Sequence, residues 1–170
     1  MKIYLIGYMY SGKTVVAHHL ARALGYQFVD LDQYFESQLK TSIPIFFQRY
    51  GEKAFRILEQ KMLHDTEKLD NIVIATGGGT PCYFDNMEWI NANGISVYLQ
   101  SDVDLTIRRL IPSKKKRPIL QNKSPEELRT FIREQLAQRM PFYTQAQYTF
   151  DAGSPDVVKA IVSTIEPTKR

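Results

Sequence analysis

The segment Gly7-Tyr8-Met9-Tyr10-Ser11-Gly12-Lys13-Thr14 fits the pattern G-x-x-x-x-G-K-[ST], and no other stretch restricts the fold of this chain as tightly. A loop of this kind works between a strand that ends in a tight glycine turn and a helix whose first N–H groups point back at an anion. Both flanks are present. Lys2 to Ile6 is a β-rich run that stops at Gly7, and Thr14 to Leu24 places Val16, Leu20, Ala23 and Leu24 on one helical face before Gly25. Backbone N–H groups from Tyr10 through Ser11, Gly12, Lys13, Thr14 and Val15 are in position to cradle phosphate oxygens. Lys13 would reach the β- and γ-phosphates, and the Thr14 hydroxyl would serve Mg²⁺.

The rest of the chain repeats that strand-then-helix rhythm. Further strands are predicted at Gln27 to Asp30, at Asn71 to Ala75, at Gly94 to Leu99 and at Gln147 to Phe150. The Ile72-Val73-Ile74 run is continuously apolar, as a strand covered on both faces should be. Helices are predicted at 32–39, 52–68, 84–92, 102–110, 125–138 and 155–165. Ser124-Pro125-Glu126-Glu127 opens one of them with an N-cap, a proline at the first position and early acids. Strands separated by helices imply parallel crossovers, and so an α/β three-layer sandwich: a central parallel five-stranded sheet with helices on both faces. Ligands of such sheets lie at the carboxyl ends of the strands. Two segments depart from the rhythm: 33–70 is an almost wholly helical insert, and 111–123 reads as a mobile loop.

Composition excludes several other classes. With 170 residues, 44% hydrophobic and 24% charged, the chain reads as one globular domain over 1–170 and not as a disordered or fibrous protein. Cys82 is the only cysteine, which excludes a disulfide framework and a cysteine-built zinc site. No apolar run approaches the roughly 18 residues that cross a bilayer, so a soluble cytoplasmic protein with no membrane partner is expected. The 22 basic residues against 18 acidic ones give +4, which favours anionic ligands without demanding nucleic acid. Lys114, Lys115, Lys116 and Arg117 form one basic block after Arg108 and Arg109; such blocks are also found as plain solvated loops.

Candidate chemistry gathers at the predicted strand ends. Asp30-Leu31-Asp32 follows the second strand, where alternation would put both carboxylates on one side. Beside a magnesium nucleotide, one acid can hold the metal shell and the other can accept a hydroxyl proton; alternatively Asp32 caps the next helix. Thr76-Gly77-Gly78-Gly79-Thr80 follows the third strand, and three consecutive glycines there suggest a ligand lying against backbone. Arg56 stands four residues after Glu52 and three before Glu59, which also suits surface ion pairing. Arg139 precedes Met140-Pro141 at a predicted helix end, where a cation also suits the dipole.

Taken together these strings resemble the shikimate kinase family over roughly residues 2–160. The specific part is Phe47-x-x-x-Gly51-Glu52-x-x-Phe55-Arg56-x-x-Glu59 followed by Thr76-Gly77-Gly78-Gly79, then Arg117-Pro118-Ile119-Leu120 and Arg139-Met140-Pro141-Phe142-Tyr143. The resemblance implies ATP- and Mg²⁺-dependent phosphorylation of the shikimate 3-hydroxyl; a monomer is expected on the separate ground that no exposed apolar stripe demands a partner. The resemblance also implies that Asp32 binds the acceptor hydroxyls and acts as base, that Asp30 helps Thr14 hold Mg²⁺, and that Arg56 and Arg139 clamp the carboxylate. Gly78, between Gly77 and Gly79, resembles the backbone contact to substrate. Arg117 resembles the lid arginine that closes over the transferring phosphate, Arg109 the one that stacks near adenine, and Asp151 to Pro155 the adenine loop, with Ser154 its nearest polar side chain.

Two positions depart from the family's pattern. Tyr10 replaces a glycine in the phosphate loop, and Val15 replaces a second hydroxyl. A related small-molecule kinase, acting on gluconate or a nucleoside monophosphate, would share the loop and the acids but not the two arginines with the triple glycine. A non-catalytic nucleotide- or nucleic-acid-binding module would need aromatics interleaved with the basic block, and Tyr143 and Tyr148 do not interleave with it.

Overall fold

The computed structural model describes residues 1–113 and 120–166. Along these the elements are β1 (Lys2–Ile6), α1 (Lys13–Leu24), β2 (Gln27–Asp30), α2 (Leu31–Leu39), α3 (Ile43–Asp65), β3 (Ile72–Ala75), α4 (Asn86–Asn93), β4 (Ile95–Gln100), α5 (Val103–Leu110), α6 (Pro125–Tyr143), β5 (Tyr148–Asp151) and α7 (Val157–Ile165). The strands form one sheet in the order β2-β3-β1-β4-β5, and every pair is parallel.

Alternation along the buried strands sorts the core into two layers. Ile3, Leu5, Val73, Ala75, Val97 and Leu99 face α1 and α7, where Val16, Leu20, Ile161 and Ile165 meet them. Tyr4, Ile6, Ile72, Ile74 and Tyr98 face the other way, toward Leu63, Met87, Ile90, Ile132 and Leu136. The predicted three-layer sandwich is therefore the observed one. A third, smaller cluster of Phe35, Phe46, Phe55 and Met62 holds α2 against α3, and this is the core of the helical insert.

Three local features differ from the sequence expectation. Helix α3 starts nine residues earlier than predicted, because the Ser42 side chain accepts from Ile45 N–H and a proline occupies its first turn. Gly51 interrupts that helix at φ 82°, ψ 172°, splitting it into two segments across a kink. Helix α6 runs five residues past its predicted end, through Pro141 to Tyr143. Arg139 thus lies inside a helix and not at its C-terminal dipole. Of the strand-two acids, Asp30 ends β2 and caps α2 by accepting from Gln33 N–H at 3.1 Å, whereas Asp32 sits in the first helical turn. Strand alternation therefore does not pair the two acids, and the capping role belongs to Asp30.

Candidate active site

The phosphate loop is held from inside by its own lysine. Lys13 is buried, and its Nζ donates to the carbonyls of Gly7 and Tyr8, each at 2.8 Å. Helix α1 starts at Gly12 with no side-chain cap, so its first N–H groups stay directed at whatever enters the loop. Ser11 Oγ is buried with no hydrogen-bond partner among the described residues. Tyr10 adopts φ 60°, the left-handed conformation that costs a residue with a side chain roughly 1–2 kcal/mol. Its carbonyl accepts from Arg109 Nη1 at 3.0 Å, and Arg109 Nη2 donates to the Ala152 carbonyl at 2.8 Å. Arg109 therefore bridges the loop and the turn after β5. Val15 is exposed on the first turn of α1. Ser154 is engaged locally, its Oγ accepting from Asp156 N–H, and it is not drawn to the phosphate loop.

A single cleft is lined by Met9, Tyr10, Gly12, Lys13, Thr14, Val15, Asp30, Asp32, Thr76 and Gly78. Thr14 Oγ1 donates to Asp30 Oδ2 at 2.5 Å, so the two residues expected to serve the metal already meet. A hydroxyl and a carboxylate at one spot suit a hard cation such as Mg²⁺, which completes its shell with water and phosphate oxygens. Among the described residues no group of three or more His, Cys, Asp or Glu gathers in the manner of an all-protein metal cage.

The triple glycine brings Asp32, Arg139 and Arg56 together. A Cβ on Gly77 would stand 2.9 Å from Asp32 Oδ1, one on Gly78 would stand 3.2 Å from Arg139 Nη1, and one on Gly79 would stand 2.7 Å from both Arg56 Nη1 and Nη2. Each glycine thus leaves room for one of the three side chains expected to bind the acceptor. The loop is pinned from behind: Tyr143 donates to the Gly78 carbonyl at 2.5 Å, and Thr80 Oγ1 donates to Glu59 Oε2 at 2.9 Å.

Surface ion pairing does not describe Arg56. Its Nη1 donates to Glu59 Oε1 at 2.9 Å with both side chains buried, its Nε reaches Glu52 at 3.4 Å, and its Cζ lies 4.0 Å from the centroid of the Tyr83 ring. Glu59 closes the Phe47 to Glu59 string, but the sequence reading gave it no role beyond a surface partner of Arg56. Its signal was a carboxylate three residues from Arg56 on a helix whose same face carries Phe55 and Met62, a face that must be buried. Burial raises the Glu59 carboxyl above the ordinary glutamate range, opposed by Arg56 and by the Thr80 hydroxyl, with Asp32 adding to the rise. Burial also holds the neighbouring Cys82 thiol up at about 11, so it stays protonated at neutral pH. Arg117 lies outside the described residues, as does the rest of the basic block.

A phosphate loop, two acids at the β2–α2 junction and two arginines around a glycine platform, all on a parallel sheet, define a P-loop small-molecule kinase. The family model of shikimate kinase matches residues 9–167. Shikimate kinase of Parabacteroides distasonis is 47% identical over 151 residues, 89% of this chain and 87% of that one. The crystal structure of shikimate kinase from Bacteroides thetaiotaomicron superposes with a TM-score of 0.91 at 42% identity, covering 99% and 98% of the two chains. That of the Acinetobacter baumannii shikimate kinase in complex with shikimate gives 0.89 at 35% identity, covering 99% and 94%. The chain belongs to the shikimate kinase family, kinases that phosphorylate shikimate. More remote likenesses, such as deoxyadenosine kinase of M. mycoides at 17% identity and a TM-score of 0.59, share the fold alone.

Proposed function

We propose a division of labour for the transfer of the γ-phosphoryl group of ATP to the 3-hydroxyl of shikimate. Asp32 receives the hydroxyl proton as the oxygen attacks in line. Arg56 and Arg139 hold the shikimate carboxylate, a task that fits the planar guanidinium fork. The backbone of Gly77, Gly78 and Gly79 supports the ring. Lys13 and Arg117 offset the charge that develops on the transferred group and the leaving phosphate, while the N–H groups of Tyr10 to Val15 bind the phosphates. Arg109 lies beside adenine, with Ser154 in the neighbouring turn. Thr14 and Asp30 would hold Mg²⁺, whose chemistry when bound is charge neutralisation on the phosphates. Nearly all of this is positioning and electrostatics, which phosphoryl transfer requires in preference to covalent help.

The observation that carries the reading is the matched set at 77–79, where a Cβ on Gly77 or Gly79 would run into Asp32 or Arg56 and one on Gly78 would crowd Arg139. A compact carboxylate-bearing polyol fits a platform with one acid and two arginines at its edge. A nucleoside monophosphate offers no carboxylate to them. The reading also takes residues 1–170 as one domain that acts as a cytoplasmic monomer, with no nucleic acid or membrane as partner. Among the described residues no helix is long and apolar enough to cross a membrane.

The test is ADP release from ATP and Mg²⁺, with and without shikimate, in the wild type and in Asp32→Asn. Strict dependence on shikimate, with turnover reduced at least about a hundredfold in the variant, is the expected result. Turnover indifferent to shikimate, or unchanged in Asp32→Asn, would overturn the assignment.

A further inference from the structure

Tyr8 lies in the phosphate loop, yet its side chain is fully buried and, unlike Met9 and Tyr10, it does not line the cleft. Its hydroxyl donates to Gln135 Oε1 on α6 at 2.6 Å. One helical turn further along α6 stands Arg139, whose guanidinium carbon lies 5.6 Å from the Tyr8 ring centroid, within the roughly 6 Å reach of a cation–π contact. The Tyr8 carbonyl meanwhile accepts from Lys13 Nζ. One residue thus touches the phosphate lysine through its backbone, α6 through its hydroxyl and Arg139 through its ring.

The two acceptor-site arginines are held in different ways. Arg56 is fixed by two acids, Glu59 and Glu52. Among the described residues no salt bridge holds Arg139. An aromatic face orients a guanidinium without supplying a competing carboxylate, so the full charge stays available to an anionic ligand. Building on the reading that Arg139 binds the acceptor carboxylate, we propose that Tyr8 is a positioning residue for Arg139, fixing that arginine's approach to the carboxylate and tying the carboxylate site to the phosphate loop.

The experiment compares shikimate with methyl shikimate, which keeps the ring and hydroxyls but lacks the charge. Calorimetric dissociation constants for both ligands, with KM for ATP, are measured in the wild type, Tyr8→Phe, Tyr8→Leu and Arg139→Gln. The expected result is a fall of about tenfold in the acid-over-ester preference in Tyr8→Leu, as loss of a desolvated cation–π contact predicts. Tyr8→Phe, which keeps the ring, should retain most of the preference, and KM for ATP should stay within about twofold in both. Equal weakening of acid and ester in Tyr8→Leu, with the preference intact, overturns the positioning role. A preference unchanged in Arg139→Gln instead overturns the carboxylate reading of Arg139 itself. Should Tyr8→Leu lack a cooperative melt, Tyr8→Met, which fills the buried volume without an aromatic face, gives the same readout: a reduced preference supports the role, and an unchanged one removes it.

Discussion

At residue 79 a single added carbon should cost more than many larger changes elsewhere. Gly79→Ala places a methyl group 2.7 Å from both terminal nitrogens of Arg56, an approach that real Cβ atoms do not make. Arg56 has little freedom to withdraw, since Glu59, Glu52 and Tyr83 hold it on the other sides. Steady-state kinetics should show KM for shikimate raised at least about tenfold with KM for ATP little changed. The pairing behind it has its own titration. Because burial raises the Glu59 carboxyl, the folded state holds a proton there that the unfolded chain has already released. This group's contribution to stability therefore falls as pH rises from the ordinary glutamate value through the raised one. Comparing the melting temperature of the wild type with that of Glu59→Gln from pH 4 to 7 should show the wild type losing ground relative to the variant across that window. Parallel curves would place Glu59 at an ordinary value. The residues that the structure gathers at the cleft and the glycine platform were legible as candidates in the sequence because their strings are specific. Glu59 and Tyr8 were not, because a helical glutamate and a loop tyrosine have many bland uses, and only burial separates those from this one.

Elements were read unevenly, and the reasons are local. Hydrophobic alternation located each strand within one residue, since a buried parallel strand has little choice of register. Helix ends were read less well. The first half of α3 was missed because Gly51 imitates a boundary, although Ser42 and Pro44 supplied an opening signal. The end of α6 was cut short at a proline that, near a C-terminus, removes only one helical hydrogen bond. Gly51 itself carries a prediction. At φ 82° and ψ 172° the backbone is in a region essentially reserved for glycine, while a Cβ there would meet nothing within 4 Å. Gly51→Ala should therefore lose about 1–3 kcal/mol of stability by denaturant titration, through backbone strain and not through a clash. An unchanged midpoint would mean that the kink straightens freely.

In the whole molecule, the cleft is built from parts with separate cores. The sheet is packed by two extensive layers, whereas α2 and α3 depend on a small aromatic cluster of their own. Elements with fewer buried contacts open at lower free energy. Amide hydrogen exchange should find α2 and the first segment of α3 exchanging well before β1 and β3. Shikimate should slow them through Asp32 and Arg56, while a non-hydrolysable ATP analogue alone should slow mainly the phosphate loop. Uniform exchange over insert and sheet would show one cooperative unit. This division was visible in the sequence only as an over-long helical crossover, since the order of strands and the independence of a core are tertiary facts.

The strand order also acts as a ruler. Leu5, Ala75 and Asp30 lie in one row across β1, β3 and β2, so the phosphate loop and the strand-two acid start two strand spacings apart, about 10 Å. The glycine platform fills the interval between them. A medicinal chemist joining a phosphate mimic to an acceptor mimic therefore has a linker length set by the sheet itself. Such a compound must also stay flat over residues 77–79, so its selectivity would come from thinness as much as from charge.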